Sequence, residues 1–274
     1  FEQVGTNCGL IGQNAAVEID GVAYWMSPNG FFAFDGTVKS LECSVEDYVY
    51  DDIESTKGQQ INCGLNNLYT EVVWYYPSSG EDFNDRYVVY NYGESAAVKA
   101  PIWYTGTEAR TTWIDASVYP KPFSTKYDSS TNGTFPVVVG ITGLGRSTFF
   151  EQETGTDQVN ADGSTTTVTS FATSFDFDIK TEETDGEFFL SLRRFIPDFK
   201  NIQGNAKITL AVKRYPAQSS TNTALSPFTV TTSSLKFDTR ARGRYANIKI
   251  ENDAASETWR FGTINLDLRP DGRR

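Results

Sequence analysis

Residues 16–36 decide the fold, and they read Ala16-Val17-Glu18-Ile19-Asp20-Gly21-Val22-Ala23-Tyr24-Trp25-Met26-Ser27-Pro28-Asn29-Gly30-Phe31-Phe32-Ala33-Phe34-Asp35-Gly36. Three short runs of β-branched and aromatic residues are separated by Asp20-Gly21 and by Ser27-Pro28-Asn29-Gly30, which are turn sequences. The stretch therefore predicts three antiparallel strands in a meander, the unit from which the blades of a β-propeller are built.

A second region repeats this pattern. Residues 71–76 and 86–92 are again β-branched and aromatic, and Trp74 follows Trp25 by 49 residues, a spacing of propeller-blade size. Further strand-like runs occupy residues 102–104, 112–114, 136–141 and 147–151, and almost nothing has helical period. We therefore predict an all-β chain whose residues 1–160 form part of a β-propeller. Because one blade cannot bury both of its faces, we expect the remaining blades to lie upstream, in a longer protein.

The composition changes at residues 154–170, which are rich in Thr, Ser, Gly and Asp and indicate a boundary between two units. Beyond this boundary, three runs alternate strictly and place these residues on shared faces: Phe171, Thr173, Phe175, Phe177 and Ile179; Phe188, Leu190 and Leu192; Ile208, Leu210 and Val212. Strands with one apolar face favour two sheets that pack face to face. Residues 161–274 are therefore predicted to form a β-sandwich-like platform domain.

The run Thr239-Arg240-Ala241-Arg242-Gly243-Arg244-Tyr245 places three arginines on one face of a strand. The apolar positions change from odd to even numbers beside Gly243, and they change again beside Gly262. A shift of one residue exchanges the two faces of a strand, and a bulge that contains glycine is the usual way to insert one. We therefore predict a bulge or a sharp bend at each of these glycines.

Arginines in a row repel one another unless water, carboxylates or phosphates surround them. Three interpretations follow from the residues alone. Salt bridges within the chain rank first, with these acidic partners: Asp238, Glu251, Asp253 or Asp267. A charged interface between subunits ranks second, because guanidinium groups form two-point contacts with carboxylates. Binding to DNA phosphates ranks third.

Composition limits the classes of function. The 274-residue chain has no histidine, which excludes histidine-based catalytic triads and His-ligated zinc. Cys8, Cys43 and Cys63 are far apart and odd in number, which favours buried free thiols over a disulfide framework. No apolar run approaches the roughly 20 residues that a membrane span requires.

Charge is unevenly distributed along the chain. The net charge is −11, and residues 1–140 hold 7 basic and 18 acidic residues, against 17 of each in the remainder. A clamp for nucleic acid needs a basic surface, so the first half of the chain argues against one. The same acidity is compatible with a wall past which DNA slides without sticking.

Three further groups of residues are candidates for chemistry, and in each group a structural role is favoured. Solvated loops are favoured over a glycosidase-type pair for the clustered carboxylates: Glu46 and Asp47; Asp51, Asp52 and Glu54; Glu81, Asp82 and Asp85. A surface turn is favoured for a set that lacks the spacing of a calcium loop: Asp157, Asn160, Asp162 and Gly163. Packing is favoured over stacking on sugars for Trp103, Trp113 and Tyr119. We therefore predict no catalytic residue, no metal and no cofactor.

The carboxy-terminal motifs carry a family resemblance. Residues 239–245, Trp259-Arg260-Phe261-Gly262 and Asp267-Leu268-Arg269-Pro270-Asp271-Gly272-Arg273-Arg274 resemble the carboxy-terminal part of tail nozzle proteins of short-tailed bacteriophages. These are also called tail tubular protein B or phage stabilisation proteins. Upstream segments are similar to the propeller part of that family: Cys8-Gly9-Leu10-Ile11-Gly12, Val22-Ala23-Tyr24-Trp25-Met26, Phe34-Asp35-Gly36, Cys43-Ser44-Val45 and residues 85–92.

The resemblance implies a structural virion protein that forms a hexameric ring at the distal end of a short tail. The ring would surround a channel and gate the exit of DNA, which passes without sequence-specific binding. The tail adaptor protein would be a partner above the ring, with tail fibres as a further partner. A subunit interface or a salt-bridge network would then contain the arginines Arg240, Arg242, Arg244, Arg260 and Arg269. The alternatives are a propeller-type protein that binds or cleaves glycans and a stand-alone DNA-binding module.

Overall fold

The computed structural model describes residues 4–117, 119–128, 146–159, 164–179, 188–215, 223–225, 227–252 and 254–272. The protein is all-β, as predicted, with 53% strand, 9% helix and several antiparallel sheets. It divides into two compact units, unit 1 (Phe1–Thr154) and unit 2 (Gly155–Arg274). In the described ranges the strands close into neither a barrel nor a propeller. Neither of the described helices has the length and apolar character that a membrane crossing would need.

The described part of unit 1 consists of short strands, two short α-helices and a 3-10 helix at Ser55–Gln60. Its elements are β1 (Ala16–Ile19), β2 (Val22–Ser27), β3 (Gly30–Phe34), β4 (Val38–Leu41), α1 (Glu46–Asp52), β5 (Asn62–Asn66), β6 (Glu71–Tyr76), β7 (Arg86–Asn91), α2 (Tyr92–Val98), β8 (Ile102–Thr107), β9 (Thr112–Ile114), β10 (Phe123–Asp128) and β11 (Arg146–Glu151). The strand predicted at residues 136–141 lies outside the described residues.

Strands β1–β4 and β5–β8 form two four-stranded antiparallel sheets in which neighbours follow one another in sequence. Trp25 and Trp74 are each the fourth residue of the second strand of their sheet. Their indole Nε1 atoms both donate to backbone carbonyls of preceding segments, to Cys8 at 2.7 Å and to Ala15 at 3.0 Å. The 49-residue spacing therefore marks two structurally equivalent strands.

The predicted hairpin between β1 and β2 is confirmed. Asp20 and Gly21 have φ values of 52° and 82°, and Ile19 pairs directly with Val22. Two successive residues in the left-handed region are what a type I′ turn requires, and Asp-Gly tolerates them at little cost.

Aromatic side chains form the centre of unit 1. Trp74 is fully buried, and its ring centroid lies 5.1 Å from that of Phe31 and 6.1 Å from that of Trp103. Aromatic rings bury large apolar areas, and tilted or offset pairs add to that stabilisation. The core of unit 1 therefore depends on a few large rings contributed by both four-stranded sheets.

Unit 2 is built from two larger sheets and the hairpin β12-β13. Its strands are β12 (Asp157–Val159), β13 (Thr165–Thr167), β14 (Phe171–Thr173), β15 (Leu190–Gln203), β16 (Ala206–Lys213), β17 (Thr223–Ala224), β18 (Phe228–Val230), β19 (Phe237–Gly243), β20 (Tyr245–Asn252) and β21 (Thr258–Pro270). One sheet has the order β14-β20-β16-β17, with β18 also paired to β16, and the other has the order β19-β15-β21.

Both sheets contribute alternate side chains to one core, which is mainly aliphatic. Leu190 and Leu192 from β15 lie in it together with Ile208 and Leu210 from β16 and Ile248 from β20. All five are at most 6% exposed. The alternation predicted for Leu190, Leu192 and residues 208–212 is therefore the alternation that builds two packed layers. Phe188, predicted to share the face of Leu190, precedes β15 and does not belong to this core.

The predicted shared apolar face of residues 171–179 is wrong in part. Phe171 and Phe175 are 61% and 83% exposed, whereas Phe177 and Ile179 pack against the core. The reason is that β14 ends at Thr173, so regular alternation stops before Phe175. Strand β14 also lies at the edge of its sheet, where side chains have neighbours on one side only.

The chain changes sheets next to Gly243. This glycine ends β19, the backbone bends at Arg244, and β20 then begins in the other sheet. A Cβ atom at Gly243 would lie 2.8 Å from Cβ of Val212 and 3.0 Å from the carbonyl oxygen of Lys213. The crossing between the two sheets therefore leaves no room for a side chain.

Gly262 is an extra residue within β21. Thr263 lies opposite Asp198 and Phe261 lies opposite Phe199, so Gly262 has no residue opposite it on β15. The apolar side chains stand at odd-numbered positions before Gly262 and at even-numbered positions after it. The extra residue lets both sets point towards the core.

Candidate functional site

One face of the sheet β19-β15-β21 lies opposite the core and is rich in arginine. Its outward positions carry seven basic and three acidic residues, which we call the basic face: Arg193, Arg194, Lys200, Arg240, Arg242, Arg260, Arg269, Asp198, Asp238 and Asp267. These residues have a net charge of +4 in a chain whose net charge is −11.

Ion pairs order part of the basic face. Three exposed pairs lie on it or beside it: Arg194–Asp238 at 2.6 Å, Arg269–Asp267 at 3.4 Å and Arg242–Asp271 at 2.5 Å. The hydrogen bond from Arg194 holds the pKa of Asp238 below its ordinary value. Because the pairs are exposed, each contributes only about 0–1 kcal/mol to folding.

An aromatic ring fixes two arginines at one end of the basic face. The guanidinium carbons of Arg242 and Arg244 lie 4.3 Å and 5.2 Å from the ring centroid of Phe189. Backbone hydrogen bonds anchor Phe189, which donates to Gly272 at 2.8 Å and accepts from Asp271 at 2.7 Å. The ring is 7% exposed, so it restricts both guanidinium groups without itself being a surface contact.

The five arginines predicted from the sequence do not form one cluster. Arg240, Arg242 and Arg269 lie near the same end of the sheet, because Ser191 of β15 pairs with both Arg242 and Arg269. Arg260 lies opposite Lys200 at the other end, about 30 Å from Arg269 at the usual rise of a strand. Arg244 is half-buried at the bend between β19 and β20.

The predicted acidic partners are arranged differently from the sequence interpretation. Asp238 pairs with Arg194 and, at 3.9 Å, with Lys236, and Glu251 pairs with Lys249 at 2.5 Å. Asp267 does pair with Arg269, and Asp253 lies outside the described residues. Within the described chain, Arg240 has no acidic partner.

Sequence reasoning missed four contributors to this surface: Arg193, Arg194, Phe189 and Asp271. A shift of register between Leu192 and Arg194 places Arg193 in a bulge, so that both arginines are outward. The adjacent arginines after the alternating run 188–192 were the available signal for this bulge. No local signal connects Phe189 to Arg242, because they meet only through strand pairing.

The acidic clusters of unit 1 are engaged in local contacts, which favours their structural interpretation. Arg86 lies 3.3 Å from Asp52 and 3.2 Å from Asp85, and Lys57 lies 2.7 Å from Asp82. Glu54 accepts a hydrogen bond from the Thr56 hydroxyl at 2.7 Å. Further members begin or continue α1: Glu46, Asp47 and Asp51.

The described residues provide no support for a calcium-binding turn that begins at Asp157. Asp157 accepts from the backbone and the hydroxyl of Ser256 at 2.9 Å and 2.8 Å, while Asn160, Asp162 and Gly163 lie outside the described residues. Among the residues that are described, no group of three Asp, Glu, Cys or His side chains has the geometry of a metal site.

Two of the three aromatic candidates for sugar stacking are packed inward. Trp103 is 8% exposed and donates to the carbonyl of Glu42 at 2.8 Å. Trp113 donates to the carbonyl of Leu65 at 2.6 Å, and only Tyr119 is largely exposed, at 51%. The glycan alternative therefore loses two of its three candidate residues for stacking on sugars.

The cysteines are free thiols, as predicted, and all three are half-buried. Burial raises the pKa of Cys43 to about 11 and raises that of Cys63 well above its ordinary value. A thiol that stays protonated at neutral pH is a poor nucleophile, so neither residue is a reactive cysteine.

The basic face can therefore bind an acidic surface through several outward guanidinium groups at fixed spacing. Its chemistry is electrostatic pairing. A scan against protein-family models and a search of the curated proteins found no match to this chain.

Proposed function

We propose that this protein is a tail nozzle protein of a short-tailed bacteriophage, a structural component of the virion that assembles as a hexameric ring around the DNA ejection channel. The observation that carries the proposal is the separation of charge between the two units. Unit 1 has 8 basic and 20 acidic residues and a net charge of −12. Unit 2 has 16 basic and 15 acidic residues, and its basic face alone carries +4.

Opposite charges on one chain support assembly from head to tail. The basic face of one copy would pair with the acidic surface of unit 1 in the next copy. A contact between two different surfaces generates a ring when the rotation between copies closes. Arg240, which has no acidic partner within the described chain, is suited to pair with a carboxylate of a neighbour.

The remaining features agree with this role. The two four-stranded meanders have the strand order of propeller blades, and unit 2 would be the β-sandwich platform. An acidic unit 1 repels the DNA phosphates and would let DNA pass without sticking. Closing of the channel by the ring would gate the exit of DNA. The role needs no catalytic group or cofactor, and the tail adaptor protein, tail fibres and the passing DNA would be the partners in the virion.

Negative-stain microscopy and native mass spectrometry of the purified chain at low salt test the proposal. We expect six-fold rings from the wild type and their loss in the double variant Arg240→Glu, Arg242→Glu. Lys39→Glu combined with Lys99→Glu is the matched control, because it also reverses two exposed positive charges, both in unit 1, which does not carry the basic face. Rings should also dissociate as salt screens exposed charges.

Two results would contradict the proposal. One is a wild-type monomer at every concentration and salt condition tested. The other is retention of the wild type on duplex DNA at low salt with no ring, which would favour the stand-alone DNA-binding module.

A further inference from the structure

A second group of charged residues lies on one face of the sheet β5-β6-β7-β8 in unit 1. Glu71, the first residue of β6, pairs with Asn66, the last residue of β5. The hydroxyl of Tyr104, on β8, donates a hydrogen bond to Oε1 of Glu71. The carboxylate of Glu153, just beyond β11, accepts a hydrogen bond from the side chain of the same Asn66. Three separate segments therefore bring two carboxylates and an amide together.

Asn66 joins the two carboxylates but is itself incompletely bonded. Its Nδ2 donates to Oε2 of Glu71 at 3.4 Å and to Oε1 of Glu153 at 3.0 Å. The residue is only 3% exposed, and its Oδ1 is buried without a hydrogen-bond partner among the described residues. An unpaired acceptor in such a place is costly, which indicates that a donor belongs there.

Positive charge is missing from this group. Within the described chain neither Glu71 nor Glu153 forms an ion pair, because Arg110 pairs with Glu108 and Lys121 donates to the backbone carbonyl of Glu153. Burial raises the pKa of Glu71, and the nearby charge of Glu153 raises it further. The site therefore has an excess of acceptors and negative charge.

We propose that Asn66, Glu71 and Glu153 bind a primary alkylammonium group. Such a group has three N–H donors and one positive charge, which match two carboxylates and one amide oxygen. Oδ1 belongs to the same amide group whose Nδ2 contacts both carboxylates, so the three acceptors lie close enough together for one ammonium group to reach them. Tyr69 and Tyr104, 55% and 38% exposed, lie beside the carboxylates that their hydroxyls contact, and their aromatic rings attract a cation.

An ammonium group fits this site better than a metal ion. The described residues contain no group of three acidic, Cys or His side chains with metal-site geometry. The two carboxylates already converge on the N–H donors of an amide, at distances that suit nitrogen. The ligand would be a free alkylamine or the side chain of a lysine, which share this chemistry.

Isothermal titration with n-propylammonium chloride tests the proposal on the whole chain, with tetramethylammonium chloride as a probe that has the charge but no N–H donor. We expect saturable binding of propylammonium at least about 10-fold tighter than that of tetramethylammonium. Glu153→Gln and Glu71→Gln should each weaken it at least about 10-fold. Glu151→Gln, which removes an exposed charge two residues from Glu153, should leave it unchanged.

The Asn66 side-chain amide signals should shift on binding in the ¹⁵N-correlated spectrum, which would also show that each variant is folded. Tighter binding of an Nα-acetyl-lysine amide than of propylammonium would identify a lysine side chain as the ligand, and the reverse would identify a free amine. Equal binding of tetramethylammonium, or no saturable binding, would overturn the proposal. Tighter binding of Ca²⁺ that both Gln variants abolish would replace it with a metal site.

Discussion

The two units have the same class of fold, but unit 1 also buries carboxylates unfavourably. In unit 1, burial raises the pKa values of Glu71 and Glu108, because removing a charged carboxylate from water is unfavourable. In unit 2, Asp176 and Asp238 bond to basic side chains that lower their pKa values. Both units have paired surface charges, but unit 1 has an aromatic core that offsets two unfavourably buried carboxylates, whereas the core of unit 2 is mainly aliphatic.

The largest effect that separates the two units is expected at Trp74. Trp74→Ala removes a fully buried ring that contacts Phe31 and Trp103, and it should destabilise unit 1 by about 3–5 kcal/mol. Hydrogen exchange read by mass spectrometry should show lost protection in β1–β8 and unchanged protection in β15–β21.

Tyr119→Ala is the matched control for this variant, because Tyr119 is 51% exposed and its loss should change protection little. Equal loss of protection in both units would show that they unfold together. The aromatic core of unit 1 and the aliphatic core of unit 2 would then not determine the stability of each unit separately.

The two glycines of unit 2 provide the second test. Gly243→Ala should cost about 1–3 kcal/mol, because the new Cβ would meet Val212 and backbone atoms of Lys213 that cannot move independently. At Gly262 the nearest atom is the Asp198 carboxylate, 2.7 Å from a new Cβ, and this side chain can rotate away. Gly262→Ala should therefore cost less, and urea unfolding of both variants measures the difference. The reverse order would mean that the crossing between sheets is more plastic than its contacts indicate.

These glycines also show which parts of the fold the sequence could predict. A switch of the apolar residues between odd- and even-numbered positions is a local pattern, so Gly243 and Gly262 were identified from neighbouring residues alone. The exposure of Phe175 was not predictable, because alternation does not reveal where a strand leaves its sheet. The group formed by Asn66, Glu71 and Glu153 was not predictable either, since Glu153 meets the other two only through tertiary packing and no spacing rule connects them.

Acidification should act in opposite directions on two partly buried carboxylates of unit 1 and two paired carboxylates of unit 2. The folded pKa values of Glu71 and Glu108 lie above the ordinary 4.5, so these two groups bind more protons in folded unit 1 than in the unfolded chain and add stability as pH falls towards 4.5, whereas the lowered pKa values of the exposed Asp35 and Glu54 act in the other direction. The folded pKa values of Asp176 and Asp238 lie below 3.8, so unit 2 keeps its stability in that range and loses it as pH falls below 3.8.

Urea unfolding at several pH values measures this contrast. Four of the five tryptophans lie in unit 1, so fluorescence reports mainly on that unit, while circular dichroism reports on both. Glu71→Gln combined with Glu108→Gln should remove most of the gain between pH 7 and 4.5. A gain that persists in this double variant would assign the effect to other groups.

The smallest effect is expected at the surface pair of unit 2. Asp238→Asn removes the charge that Arg194 contacts at 2.6 Å, yet both side chains are exposed, at 43% and 62%, so the loss should be about 0–1 kcal/mol. A double-mutant cycle with Arg194→Gln isolates the pair, because each single variant also changes the interaction with water. The coupling should decrease as salt is added, since exposed charges are screened. A coupling well above 1 kcal/mol that does not respond to salt would mean that the basic face is held rigid by its own ion pairs, and its arginines would then be less available for a neighbouring subunit.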